Sequence, residues 1–263
     1  MPYEIEIRIG FFVAILAVMI LWEFLAPRRA LSVGRLIRWP SNIAVIGVGT
    51  VLLRVLPFSA VGVAVIAGWN DWGLLRFIDL PYWLAVALAV ILLDLLIYGQ
   101  HVVMHAVPIL WRLHRMHHAD LDFDVTTGVR FHPIEILLSM IIKLIAIAAL
   151  GAPALGVLIF EILLNGTSLF NHSNVRIPLC ADRYLRWIIV TPDMHRVHHS
   201  IIRKETDSNF GFNVPWWDRL FGTYCDQPQA GHDNMTIGIP HFRNPRELWL
   251  DRLLIQPFRV SKA

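Results

Sequence analysis

Charged residues are scarce in this chain. Only 16% of its 263 residues are Asp, Glu, Lys or Arg, while 56% are hydrophobic. A soluble globular protein carries roughly 25% charge, so the shortage argues against a water-soluble fold. Cysteine is scarcer still. Cys180 and Cys225 lie far apart and form no CxxC pair, which argues against a disulfide framework and a thiolate metal site. No low-complexity linker and no repeat of solenoid period appears, so residues 1–263 read as a single membrane-embedded domain. "GVGTVL" at 47–52 lacks the third glycine of a dinucleotide loop and lies inside an apolar run. Small residues serving helix packing explain it better.

Long apolar runs are what the chain has in quantity. They cover roughly 9–26, 42–67, 82–100, 134–150 and 154–170. About 20 helical residues cross a hydrocarbon core, so the first and third are long enough. Arg54 and Pro57 interrupt the second, and "GAP" at 151–153 joins the last two as a tight helical hairpin. The expected fold is therefore all-α: a polytopic membrane bundle of about four to five hydrophobic segments, with a cytosolic helical cap from about residue 172. The first run does not read as a cleavable signal, being acidic before it and basic after it.

An isoelectric point near 9.1 suggests nucleic acid at first, but basic residues in a membrane protein more simply mark the cytoplasmic side. The loop 26–41 holds Arg28, Arg29, Arg35 and Arg38, and is placed inside. Five crossings then put 68–81, with two acids and one Arg, outside. Segments 101–133 and 171–263 fall inside with most of the remaining Lys and Arg, and with every histidine. The tail "RELWLDRLLIQPF" (246–258) has near-helical spacing and either lies at the membrane surface or packs on the cap.

Histidine is the distinctive residue. His101 and His105 are spaced HxxxH; His114, His117 and His118 form one HxxHH cluster, and His195, His198 and His199 form another. On a helix, residues i and i+4 differ by roughly 40° around the axis. Each HxxHH cluster can thus offer up to three nitrogens to a shared site. Protonated imidazoles crowded this way would repel, whereas neutral imidazoles binding metal would not. Eight ligands exceed the four of a structural zinc or the three of a catalytic one. They suit two ions of higher coordination number, and imidazole alone does not choose the metal.

"HVVMHAVPILWRLHRMHH", "TTGVRFHPIE", "FNHSNVRIP", "TPDMHRVHHS" and "NFGFNVPWWDRLFGTY", in this order from about 90 to 224, resemble the fatty acid hydroxylase/sterol desaturase superfamily. The resemblance implies an integral-membrane oxidoreductase with two iron ions. Such an enzyme uses O2 and external electrons to hydroxylate or desaturate an unactivated C–H bond of a lipid: a fatty acyl chain, sterol, ether lipid or carotenoid. It implies metal ligation by His101, His105, His114, His117, His118, His195, His198 and His199, and by His172 of "NHSN". For His132, ligation, hydrogen bonding to a ligand and a helix-start role all stay open. His232 and His241 match no motif and read as surface residues. His132-Pro133 is followed by Ile134 rather than two glycines, so no cytochrome b5 haem motif is fused here.

Asp94, Tyr98, His101 and His105 recur at steps of three and four, as do Glu161, Asn165, Ser168 and His172. A carboxylate within a membrane helix costs roughly 2.5–3.5 kcal/mol unless paired or facing a cavity. Asp94, Glu161, Asn165, Asp193 and Asn209 are therefore candidates to accept the ligands' free ring N–H groups, against plain helix–helix hydrogen bonding. No flavin, nicotinamide or haem motif is visible, so a cytochrome b5- or ferredoxin-like carrier and its reductase are implied. Arg112, Arg115, Arg183, Arg186, Arg196, Arg203 and Lys204 could dock an acidic carrier, although inside positive bias accounts for them more simply. The alternatives are a membrane metal transporter, whose ligands would sit nearer the bilayer midplane, and a zinc-dependent hydrolase, which needs about three ligands. The expected location is the inner membrane of a bacterium or the endoplasmic reticulum of a eukaryote.

Overall fold

The computed structural model describes residues 3–78 and 80–260; Asp79, one of the two acids of the expected outer loop, lies outside them. Described residues form helices joined by turns and no sheet. Among the described residues, five segments are long and apolar enough to cross a membrane: Glu4–Leu25, Arg35–Trp69, Tyr82–Ala106, Pro133–Leu150 and Ala154–Asn171. The protein is an integral-membrane helical bundle.

Helix α1 (Glu4–Leu25) packs on α7 (Ala154–Asn171). The second apolar segment is broken where Arg54 and Pro57 suggested. Helix α2 (Arg35–Leu52) passes through a 3-10 turn at Leu53–Val55, and α3 starts afresh at Ala60–Trp69, with Ser59 accepting from the Gly62 N–H. Helix α4 (Tyr82–Ala106) stops because Val107 is extended and Pro108 cannot continue the hydrogen-bond ladder. Pro108 instead opens α5 (Pro108–His118). That break turns the chain, so the end of α4 and the length of α5 face one another.

Helix α6 (Pro133–Leu150) starts on Pro133, with His132 as its N-cap, and ends on Gly151 at φ 63°, where only a residue tolerant of left-handed backbone fits. Pro153 precedes α7, closing the hairpin that "GAP" predicted. The apolar core lies between α3, α4, α6 and α7, around Leu93, Ile97, Ile147, Val157 and Phe160.

Beyond α7 the chain forms the cap: α8 (Leu179–Leu185), α9 (Pro192–His198), α10 (Arg203–Thr206) and α11 (Trp216–Phe221). The C-terminal tail resolves one open reading by packing inward. Leu253 is buried against Val45 of α2 and Met116 of α5, and the carbonyls of Gln256 and Pro257 accept from Arg115 and Arg112.

Candidate metal centre

The segment between α5 and α6 is fixed by buried charge. Arg38 of α2 forks onto both carboxylate oxygens of Asp120 at 2.7 and 2.8 Å and also reaches Asp124. Asn42, one turn further, donates to Thr126 and accepts from Arg130. Arg38, expected as a marker of the inner face, is thus completely buried and ties the 120–130 loop to α2. The loop approaches α7 just as closely: Ser168 Oγ donates to the Gly128 carbonyl at 2.9 Å.

Nine histidines converge on this frame, all buried, in two groups that could each hold a metal ion. One group contains His101, His105, His114, His118 and His198; the other contains His117, His172, His195 and His199. The HxxHH clusters therefore do not each serve one site, as the spacing first suggested; each is divided. Residues i+3 and i+4 lie about 60° and 40° to opposite sides of residue i. The pairs 114/118 and 195/199 accordingly stay together, while His117 and His198 cross to the other group.

Backbone and carboxylate oxygens decide which ring nitrogen faces inward. Nδ1 of His101 lies 2.8 Å from the Phe210 carbonyl, that of His198 2.7 Å from Ser208, that of His172 2.8 Å from Ser168 and that of His117 3.2 Å from Arg130. His114 Nδ1 donates to Glu135 at 2.7 Å, and His105 Nδ1 faces Asp207 at 3.2 Å. With Nδ1 as the N–H, Nε2 carries a lone pair.

Those Nε2 atoms crowd one another. His114 Nε2 is 3.1 Å from that of His101 and 3.2 Å from that of His118; His172 Nε2 is 3.1 Å from those of His117 and His195. Nitrogens sharing one ion at about 2.0–2.1 Å come to lie roughly 3 Å apart. His105 Nε2, His198 Nε2 and both nitrogens of His199 are buried with no hydrogen-bond partner among the described residues, a costly arrangement without a ligand. The donor set, its spacing and its unpaired nitrogens fit metal ions.

Charge points the same way. Burial first, then neighbouring imidazoles, holds His117, His118, His195 and His199 well below the usual imidazole range, and burial does the same for His198. Burial lowers His172 to about 3. Neutral imidazole is the form that binds metal. Aromatic rings close the surroundings: Phe131 stacks on His117 at 4.3 Å, and Phe123 lies 5.0 Å from His199.

Several expected residues sit elsewhere. His132 belongs to neither group; its Nδ1 caps α6 at Ile134 N and its Nε2 meets the Leu254 carbonyl. None of the five polar candidates bonds an imidazole of the two groups. Asp94 accepts from the Trp217 indole at 2.8 Å, pinning α11 to α4. Glu161 pairs with Lys143, and Asn165 donates to the Glu161 carbonyl. Asp193 pairs with Arg28 and Arg196, while Asn209, at φ 50°, bridges Met194 and Cys225. A carboxylate in a cap has arginines nearer than imidazoles, and one deep in α7 is too far along the helix. His232, expected on the surface, is buried beside Asp193; His241 is exposed.

Of the basic residues considered for carrier docking, Arg115, Arg186 and Arg196 are buried in internal bonds. Arg183, Arg203 and Lys204 are exposed. Sequence reasoning missed Glu135 and Asp207. Glu135 had a signal, as the acid in the first turn after His132-Pro133; the carbonyl acceptors had none.

A cavity of about 350 Å³ opens within the bundle against the five-histidine group. His101, His114 and Glu135 line it beside that group, and Ile97, Met104, Met140, Leu164 and Phe212 contribute apolar wall.

Comparison with known proteins gives a consistent picture. A profile described as fatty acid hydroxylase matches residues 86–223, more than half of the chain. An ornithine lipid hydroxylase, OlsE, of Rhizobium tropici is 31% identical over 157 residues, covering 60% of this chain and 46% of that protein. Alkylglycerol monooxygenase of Homo sapiens is 29% identical over 178 residues, 65% of this chain and 37% of its own length. The Xenopus tropicalis alkylglycerol monooxygenase is 28% identical over 183 residues, covering 66% and 36%. The chain thus spans less than half the length of these relatives. No solved structure matches it.

Proposed function

The chain belongs to the fatty acid hydroxylase family, and on that footing we propose that it is a di-iron, O2-dependent hydroxylase of a membrane lipid. The supporting observation is the joining of an apolar cavity to the five-histidine group through His101 and His114. The names of its relatives, an ornithine lipid hydroxylase and alkylglycerol monooxygenases, favour hydroxylation over desaturation.

Iron held by the two groups would supply the activation of O2 that inserts one oxygen atom into a C–H bond. The balance is R–H + O2 + 2 e⁻ + 2 H⁺ giving R–OH + H2O. The chain's own residues bind and orient. Glu135, Asp207 and four backbone carbonyls hold six of the nine imidazoles with Nε2 inward, so those six need little rearrangement on loading. The cavity wall excludes water and seats an alkyl chain against His101 and His114. The electrons come from an external carrier, cytochrome b5- or ferredoxin-like, with its reductase. Exposed Arg183, Arg203 and Lys204 remain as basic contacts for an acidic carrier on the cytoplasmic face, where we place the cap.

The reading is tested by mass spectrometry of total lipids from the native host, comparing wild type with His198→Ala. A lipid class carrying one extra oxygen only in wild type identifies substrate and reaction together. An unchanged lipidome, with purified protein that retains no iron, overturns the proposal.

A further inference from the structure

The far end of the cavity holds charges that the metal centre does not use. Lys143 of α6 and Glu161 of α7 both line it, and Lys143 Nζ donates to Glu161 Oε1 at 2.8 Å. Arg8 of α1 also lines it, with Nη1 3.2 Å from Glu161 Oε2 but without a hydrogen bond. Glu161 is 1% and Lys143 7% exposed. Lys143 lies eight residues beyond Glu135 on the same helix, roughly 12 Å along its axis. The cavity thus runs from imidazoles at one end, past apolar walls, to an ionic cluster at the other.

Helix association alone does not require this cluster. Apolar residues of similar volume pack as well or better than a buried ion pair, and ionisable side chains inside membrane segments mark substrate or ion paths. The chemistry on offer is donation. An ammonium has three N–H groups, and Lys143 spends one on Glu161. Arg8 directs Nη1 toward Glu4 and Glu161, and among the described residues its other guanidinium N–H groups stay open to a guest. A guest here must bring acceptor oxygens and an apolar chain that reaches the histidines.

We propose that Lys143, Glu161 and Arg8 form an anchor for the carbonyl end of the substrate lipid, and that the distance from this anchor to His101 and His114 selects the carbon attacked. The inference rests on the lipid hydroxylase reading and deepens it. The substrate is an acyl lipid or free fatty acid bound carbonyl-first at the cluster, with its chain directed toward the metal groups. Arg8 is the most exposed of the three side chains, and α1 and α2 both border the cavity, α1 through Arg8 and Phe12 and α2 through Ile46, Gly49 and Thr50. Entry is therefore sideways, between α1 and α2.

Binding tests this without relying on turnover. Purified full-length protein is titrated in detergent micelles with palmitate, methyl palmitate and hexadecane and read by native mass spectrometry, in wild type, Lys143→Met and Lys143→Arg. Lys143→Met should bind at least one carbonyl-bearing lipid about tenfold more weakly, hexadecane should bind as before, and Lys143→Arg should recover most of the loss. Loss for both carbonyl lipids assigns an acyl ester or acid; loss for palmitate alone assigns the free acid. Should Lys143→Met fail to fold, the paired Lys143→Met/Glu161→Leu variant, which leaves no unpaired charge, replaces it. Unchanged carbonyl-lipid binding, or an equal loss for hexadecane, overturns the anchor. A wild type that binds in this pattern yet yields no oxygenated lipid would instead overturn the hydroxylase reading.

Discussion

His114 donates its Nδ1 proton to Glu135 at 2.7 Å, and both residues line the cavity. One bond therefore sets the ring's tautomer, aims Nε2 at the five-histidine group and couples α5 to the first turn of α6. Removing a group that orients a ligand imidazole typically costs 10- to 100-fold in metal affinity or activity. Glu135→Leu should lose metal by about that factor in a chelator competition read by elemental analysis. Glu135→Gln, which keeps an acceptor oxygen, should lose less. Equal retention in both variants would show that the bond does not position His114.

Gly128 makes a different demand. A Cβ there would stand 2.5 Å from the Ser168 carbonyl and 3.3 Å from His172 Cβ, so the 125–129 turn would have to leave α7. Gly128→Ala should destabilise by about 1–3 kcal/mol, the range for overpacking, and weaken the group containing His172. Gly99 meets nothing within 4 Å. Gly99→Ala, in the middle of α4, should be neutral or stabilising by up to about 1 kcal/mol. Thermal unfolding of the two variants separates packing from glycine loss in general.

Much of this was legible in the sequence, and the limits have physical causes. Apolar runs marked the spans because only internally bonded helices suit lipid, and Pro108 and Pro192 stand at the starts of α5 and α9, which carry histidines. Spacing showed that His101 and His105, or His195 and His199, share a direction. It did not show where neighbouring helices stand, and those helices divide each HxxHH cluster between two groups. Charge partners were the hardest to foresee: Asp193 lies two residues from His195, yet Arg28 and Arg196 take it. Contacts with backbone carbonyls, such as Phe210 with His101, leave no trace in residue identity.

Arg38 carries a prediction of its own. Its guanidinium and the carboxylates of Asp120 and Asp124 are all fully buried, so removing the cation strands both carboxylates. Breaking such a pair costs about 3–5 kcal/mol. Arg38→Met should therefore lower the unfolding temperature sharply and loosen the 120–130 loop that supports His117. Arg183→Met, at an exposed position, should stay within about 0.5 kcal/mol of wild type. Similar midpoints for the two variants would mean that the loop does not depend on α2.

Acid should unfold the metal-free protein early, and the sign follows from the histidines. Burial lowers His172 to about 3 and His232 to about 4, from an ordinary value of 6.5. Between those values and 6.5 the unfolded chain binds more protons than the folded one, so stability falls as pH falls. Loss should begin near pH 6.5 and continue to about pH 4 for His232 and about pH 3 for His172. Stability should change little from these groups above pH 7. Metal competes with protons for the ligand imidazoles, so the loaded protein should hold its unfolding temperature to lower pH. His232 lies outside both groups; His232→Phe should therefore flatten the pH dependence by a similar amount with and without metal. Unfolding temperatures of metal-free protein that rise from pH 7 to pH 5 would contradict burial of these rings in the neutral form.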